Sequence, residues 1–198
     1  MNHIIICEGS TDYFLLQYYM REAYQWTDDK KIQNGILRMR GQKSRNLKKG
    51  SDILTIMASG GCSQIPNGLD TVLEKNYLST PSLTEAYNKI VIVTDRDEVG
   101  TEPQFTQTIE QVLRTRNVTY LAPLSNNTWV PCRMNNNIGI QLDFSLLLLV
   151  IPFEENGAME TFLLNAIREK DIYDQKIIDE CRRFVDGIDP DKRYLTSR

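Results

Sequence analysis

The sequence predicts an α/β fold with a mostly parallel central sheet flanked by helices. Short aliphatic or β-branched runs recur at residues 3–7, 52–58, 89–94 and 144–151. Segments with apolar residues at three- and four-residue spacing stand between and after them. That alternation builds βαβ units, whose right-handed crossovers bring the C-terminal ends of parallel strands to one edge of the sheet. A length of 198 residues fits a single domain spanning residues 1–198.

The first run, HIIIC at 3–7, is stiff at χ1 and suits a pleated surface. It leads into Glu8, Gly9, Ser10, Thr11 and Asp12. Gly9 permits a tight turn or a close backbone approach. Ser10 or Thr11 can cap a helix, and Asp12 suits the positive end of the helix dipole. The helix is expected over about 11–23, with Leu15, Tyr18 and Tyr19 as its apolar face. Residues 26–50 show little periodicity and read as a basic insertion, a hairpin or mobile loop. They carry Arg38, Arg40, Lys43, Arg45, Lys48 and Lys49, and Ile36, Leu37 and Met39 suit a short strand.

The second run, DILTIMA at 52–58, ends at Ser59, Gly60 and Gly61. Paired glycines after a strand mark a place where backbone must approach another group closely. A helix is expected over 66–78, with Leu69, Val72 and Leu73 on one face, then a polar connection over 79–86.

The third run, KIVIVTDRD at 89–97, is β-branched and ends in two aspartates. A short apolar run of this kind reads as a strand buried on both faces. If the chain stays extended, Asp95 and Asp97 point to the same side. Open α/β sheets take ligands just beyond the C-terminal ends of their strands. Two carboxylates at this spacing repel unless a cation or proton lies between them, so a divalent-metal site is expected. A second Asp-x-Asp, Asp189 and Asp191 around Pro190, follows no strand and reads as a turn.

Thr101 can cap a helix running to about Arg116, with Phe105, Ile109, Val112 and Leu113 as its stripe. Residues 117–121 suit a short strand, and Thr128, Trp129 and Val130 an edge strand. The last run, 144–151, ends in Pro152, Phe153, Glu154, Glu155, Asn156 and Gly157. A helix follows over about 158–169, with Met159, Phe162, Leu163 and Ile167 apolar and Glu160 in its first turn. A final helical segment spans about 174–185, and residues 170–198 form a looser helical end.

Composition narrows the chemistry. No stretch approaches the roughly 20 apolar residues that cross a bilayer. The N-terminus lacks the basic region and long apolar core of a secretory signal, so a cytoplasmic protein is expected. Cys7, Cys62, Cys132 and Cys181 are scattered, without a Cys-x-x-Cys pair, and His3 is the single histidine. Zinc binding and histidine-based triads therefore have little support. Carboxylates do cluster at strand ends: Glu8 after the first, Asp95 and Asp97 after the third, and Glu154, Glu155 or Glu160 after the last. An acidic rim without histidine favours Mg²⁺ or Mn²⁺. Net charge is −3, with 23 basic and 26 acidic residues. Residues 30–49 hold eight of the basic ones and no acid. An acidic body with one basic stretch points to a polyanionic partner, DNA or RNA.

Glu8-Gly9-Ser10-Thr11-Asp12 after an apolar strand resembles the Glu-Gly-x-x-Asp signature of the Toprim superfamily. Asp95-Arg96-Asp97 after IVIVT resembles its Asp-x-Asp signature, and Gly60-Gly61 suits it too. Pro152 and the Gly157-to-Glu160 spacing are similar to small stand-alone Toprim proteins, related in domain type to OLD-family nucleases. The resemblance implies a Toprim-like, Rossmann-like core of four mostly parallel strands and phosphodiester chemistry with Mg²⁺. It implies Asp95 and Asp97 as metal ligands, joined by Glu160, and Glu8 as metal ligand or general acid/base. Gly9, Asp12, Gly60 and Gly61 would support the site. No tyrosine is marked as a topoisomerase nucleophile. No primase zinc module and no Gly-x-x-x-x-Gly-Lys-[Ser/Thr] phosphate loop is present in the sequence. The expectation is a metal-dependent nuclease or phosphotransferase. The alternatives are a non-catalytic nucleic-acid-binding or scaffold protein and a small-molecule phosphohydrolase.

Overall fold

In the computed structural model of the chain, residues 1–28, 43–79 and 86–188 are described. Arg38, Arg40, the short strand expected at Ile36, Leu37 and Met39, and the Asp189/Asp191 triplet lie outside them. The elements in order are β1 (Asn2–Cys7), α1 (Ser10–Tyr24), β2 (Thr27–Asp28), β3 (Lys43–Lys49), β4 (Asp52–Ala58) and α2 (Ile65–Tyr77). They continue with β5 (Tyr87–Asp95), α3 (Thr101–Thr115), β6 (Thr119–Tyr120), β7 (Trp129–Asn135), β8 (Gln141–Ile151), α4 (Met159–Lys170) and α5 (Ile172–Asp186).

All the strands join one eight-stranded sheet, in the order β2-β3-β4-β1-β5-β8-β7-β6. The α/β class is as the sequence predicts. The described strands do not form a mostly parallel sheet of four. Parallel pairing is confined to the centre, β4-β1-β5-β8. Both flanks are antiparallel, β2-β3-β4 on one side and β8-β7-β6 on the other. The reason lies in the short connections. Gly50 adopts φ +62° in the turn joining β3 to β4, and Gly139 adopts φ +81° in the turn joining β7 to β8. Tight turns of this kind return the chain antiparallel, whereas a parallel neighbour needs a crossover of a dozen residues or more.

The central strands are buried on both faces, and residue parity separates two cores. Ile4 and Ile6 of β1, Ile90 and Ile92 of β5, and Leu146 and Leu148 of β8 pack with Leu69, Val72 and Leu73 of α2 and Phe105, Ile109 and Leu113 of α3. Ile5, Cys7, Val93 and Ile151 face the other way, with Tyr13 of α1 and Met159 of α4. Each such aliphatic side chain withdrawn from water stabilises the fold by about 1.5–3 kcal/mol before conformational entropy is set against it. The sheet is thus the middle of three layers, with α1 and α4 on one face and α2 and α3 on the other.

The buried face of α1 differs from the one expected. Tyr18 and Tyr19 are 65% and 51% exposed, and Leu15 is half-buried. Tyr13, Asp12 and Gln17 point inward instead. The polar pair is tolerated because each is hydrogen-bonded: Gly9 N–H donates to Asp12 Oδ2 at 2.9 Å, and Gln17 Nε2 donates to the Tyr13 carbonyl at 2.9 Å. Hydrophobicity alone ranks tyrosine above aspartate for burial, and local hydrogen bonding reversed that order. Among the described residues no helix is long and apolar enough to cross a membrane.

Candidate functional site

The chain leaves β1 for β4 on one side, then crosses to β5 on the other side of β1. The strand order therefore reverses between β1 and β5, and a crevice opens beyond their C-terminal ends. Cys7 lies beside Val93 in the parallel register, so Glu8 and Thr94 come next on adjacent strands. Thr94 Oγ1 donates to Glu8 Oε2 at 3.2 Å and lies 3.4 Å from Cys62 Sγ. Asp95 is the last residue of β5, and Asp97 stands exposed two residues on.

Glu8 is held through its backbone by the glycine loop after β4. Gly60 N–H and Gly61 N–H both donate to the Glu8 carbonyl at 3.0 Å. Gly61 has φ +129° and ψ 155°, a region closed to side chains by backbone sterics. A Cβ there would meet no atom within 4 Å, so the constraint is conformational and not one of space. Gly61→Ala is expected to cost about 1–3 kcal/mol in thermal or denaturant unfolding. Gly9 is different: its φ is −120°, and a Cβ would make only ordinary contact, 3.6 Å from Asp12 Oδ2. Its glycine freedom is not used inside the protein. Asp12 reaches back to the Gly9 N–H, which fixes the Glu8 turn against the start of α1.

The sequence reading missed how α4 meets Asp95. The N-cap position of α4 is Ala158, which has no side chain to cap with. The Met159 N–H donates instead to Asp95 Oδ1 at 3.0 Å. A carboxylate on another strand thus caps the helix and faces its positive end. The available signal was an apolar residue where a Ser, Thr, Asp or Asn is usual.

Arg96, between the two aspartates, faces away from a ligand role. Its Nε donates to the Pro152 carbonyl at 2.6 Å, and its guanidinium pairs with Glu102 at the start of α3. Its backbone accepts from Gly157 N–H at 2.8 Å and donates to the Ile151 carbonyl at 2.7 Å. A Cβ on Gly157 would sit 2.7 Å from Thr161 Oγ1, which explains a glycine at this close approach. Arg96 and Gly157 thereby lock the aspartate loop to the loop after β8.

Electrostatically the crevice is strained toward protonation. Burial pushes the Asp95 carboxyl up to about 6, helped by the negative charges of Asp12, Glu8 and Asp97 and opposed by the Met159 N–H. Burial also raises the Cys62 thiol, and Glu8, Asp97 and Asp95 add to the effect. A cleft of about 400 Å³ opens on this side, lined by Cys62, Ser63, Gln104 and Phe105 among others.

Glu160 is exposed in the first turn of α4, next to the Met159 amide that binds Asp95. Glu154 and Glu155 are also exposed, and Glu155 pairs with Asn165. Among the described residues, no three His, Cys, Asp or Glu side chains gather closely enough to hold a metal ion. Of the basic insertion, Arg45 Nε contacts Asp28 at 2.7 Å, Lys43 Nζ donates to Ser10 Oγ at 3.2 Å, and Lys49 Nζ donates to the Tyr24 carbonyl at 2.8 Å. Lys48 is exposed on the same strand.

A family model described as "Protein of unknown function (DUF3226)" matches residues 2–196. No curated protein matches. Among solved structures the chain is similar to a hypothetical protein from Pyrococcus horikoshii OT3, at 21% identity and a TM-score of 0.57. The match covers 91% of this chain and 74% of that one. Similarity at that identity concerns the fold alone.

Proposed function

The chain belongs to the family described as protein of unknown function (DUF3226), and we propose that it cleaves or transfers phosphodiester bonds of nucleic acid with Mg²⁺ or Mn²⁺. In this reading the parallel centre β4-β1-β5-β8 is a Toprim-like core. One observation carries it: Glu8 and the Asp95/Asp97 pair follow adjacent parallel strands where the strand order reverses.

The donors suit a hard cation. Asp95 and Asp97 would hold it, partly through its retained waters, and Glu160, which does not gather with them among the described residues, would be an outer third carboxylate; all offer oxygen. Mg²⁺ keeps several waters and takes only one or two protein carboxylates directly. The raised Asp95 carboxyl supports the reading, because a cation would offset both the burial that chiefly lifts it and the neighbouring acids that add to it. A bound ion supplies stabilisation of the negative charge that develops on a phosphoryl group. Glu8 is the proton carrier in this proposal. Thr94 orients its carboxylate at the rim, where it can accept a proton from an attacking water or return one to a leaving oxygen. Asp12 and the Gly60-Gly61 amides keep the Glu8 turn in place.

The basic strand β3 favours a second reading, a protein that binds nucleic acid without cutting it. It carries Lys43, Arg45, Lys48 and Lys49 and no acid. One assay separates the two. Single- and double-stranded DNA and RNA are incubated with the protein in Mg²⁺ or Mn²⁺, beside Glu8→Gln. Cleavage that falls by about 100-fold or more in the variant is expected. Binding with no cleavage in either metal would leave the second reading, and neither binding nor cleavage would remove both.

A further inference from the structure

We infer that the exposed ridge of Phe14 and Tyr18 on α1, bordered by the basic strand β3, is a stacking platform that leads single-stranded nucleic acid into the crevice. The inference rests on the nucleic-acid reading above and deepens it by naming the form of the substrate.

Phe14 and Tyr18 are 61% and 65% exposed. They stand four residues apart on a helix and so share one face, with the Phe14 ring also packed edge-on against Tyr13. Scattered exposed aromatics need no explanation, but these two share one helix face and Phe14 has a cation beside it. Lys43 Nζ lies 5.5 Å from the Phe14 ring centroid and donates to Ser10 Oγ at the start of the helix.

β3 runs alongside α1 in the same sense. Lys43 meets Ser10 at the helix start, and Lys49 meets the Tyr24 carbonyl at its end. Between them, Arg45 shares Asp28 with Arg21, so two cations surround one acid. The border of the ridge toward β3 therefore carries Lys43, Arg45 and Lys49 against one acid, Asp28, while Glu22 stands exposed one turn beyond Tyr18.

The sheet register fixes where this ridge leads. Lys43 pairs with Ala58, and Ala58 pairs with Cys7, the residue before Glu8. The Lys43 end of the ridge thus lies on the same rim as Glu8 and the glycine loop. Every base has a π-face that an aromatic ring can stack on, and every phosphate carries a charge that lysine can meet. In a duplex those faces are hidden in the stack, so rings that project from a helix select strands whose bases are free. The exposed ends of the rings and the adjacent lysine match that chemistry, and the run toward Glu8 gives the strand a destination.

The test measures binding of labelled oligo(dT) and oligo(U), and of a duplex of equal length, by fluorescence anisotropy. It is made in the Asp95→Asn chain so that cleavage does not intervene. Phe14→Ala/Tyr18→Ala is expected to weaken single-strand binding by about tenfold or more and to leave duplex binding unchanged. Phe14→Trp should retain binding. Lys43→Ala should lower the magnitude of the salt slope for the single strand by about 0.7. Both aromatic side chains are largely in solvent, and circular dichroism checks that the variant folds. Equal losses on single strand and duplex, no loss on either, or a loss that tracks a change in sedimentation coefficient would each overturn the inference. The two readings fail separately. Ridge-dependent binding by a wild-type chain that cuts nothing removes the nuclease and keeps the ridge. Cleavage of single strands at unchanged kcat/KM in the double variant removes the ridge and keeps the nuclease.

Discussion

Under the proposed function, Asp95→Asn is expected to lower metal-dependent cleavage sharply and, above pH 6, to make the chain more stable. The two effects have one origin. In the folded protein the carboxyl is half-buried, faces three other acids and titrates at about 6. In the unfolded chain it titrates near the ordinary aspartate value, about 4. Below pH 4 it is neutral in both states and contributes nothing. As pH rises through 4 to 6 the unfolded chain ionises first, so stability falls, and above 6 the full cost of ionisation is present. Solvent screening at a half-buried position limits that cost to about 1 kcal/mol. Asparagine removes the charge and keeps an oxygen for the Met159 N–H. Its melting temperature should match wild type at pH 4 and exceed it by about 2–4 °C at pH 8. Cleavage should fall by about 100-fold or more, as when a group that stabilises transition-state charge is lost. Millimolar Mg²⁺ should raise the melting temperature of wild type and not of the variant, since a cation bound to the folded state alone stabilises it. A variant less stable than wild type at pH 8, or one that still cleaves, would contradict this account of Asp95.

The largest loss of stability is expected at Asn76, far from the crevice. Its side chain is fully buried at the end of α2. Its Oδ1 accepts from Tyr87 N–H at 2.7 Å, and its Nδ2 donates to the Tyr87 carbonyl at 3.0 Å. The amide thus satisfies both backbone groups of the first residue of β5, as a neighbouring strand would. Tyr87 is itself 1% exposed, with its hydroxyl 3.0 Å from Thr55 Oγ1, which donates to Asn46 Oδ1 at 2.7 Å. Asn76→Leu keeps the volume and strands two buried backbone groups. Each costs about 1–3 kcal/mol, so a loss of about 2–6 kcal/mol is expected. In a chain of this size that lowers the melting temperature by about 4–24 °C. An unchanged denaturant midpoint would show that water reaches Tyr87 and replaces the amide.

Several parts of this molecule could be read directly from residue order. β4 occupies 52–58, as expected from DILTIMA, and α2 and α3 bury the residues their apolar spacing selects except Val112, which is half-buried. β5 is buried on both faces, as a run of Ile and Val before a charged end requires. These elements are set by near-neighbour patterns that survive without tertiary context. Tyr18 and Tyr19 resisted the same reasoning, because an amphipathic tyrosine fits either side of a helix and only the packed sheet decides. Asn76 was silent because nothing in a helical pattern announces that an amide will pair with a strand.

The sequence by itself determined the order of the four central strands and of the helices, the acids that follow β1 and β5, and the basic run in which β3 forms, though not β3 itself. Those are local properties of side-chain shape, charge and spacing. Only the tertiary structure decided that β1 and β5 are neighbours, which brings Glu8 and Asp95 to one crevice. It also decided that the helix beginning after Ala158 would use Asp95 as its cap, and that Lys43 would stand over Phe14 beside the same rim. Strand pairing is a long-range choice, made by burying both faces of the central strands together, and no single segment carries it.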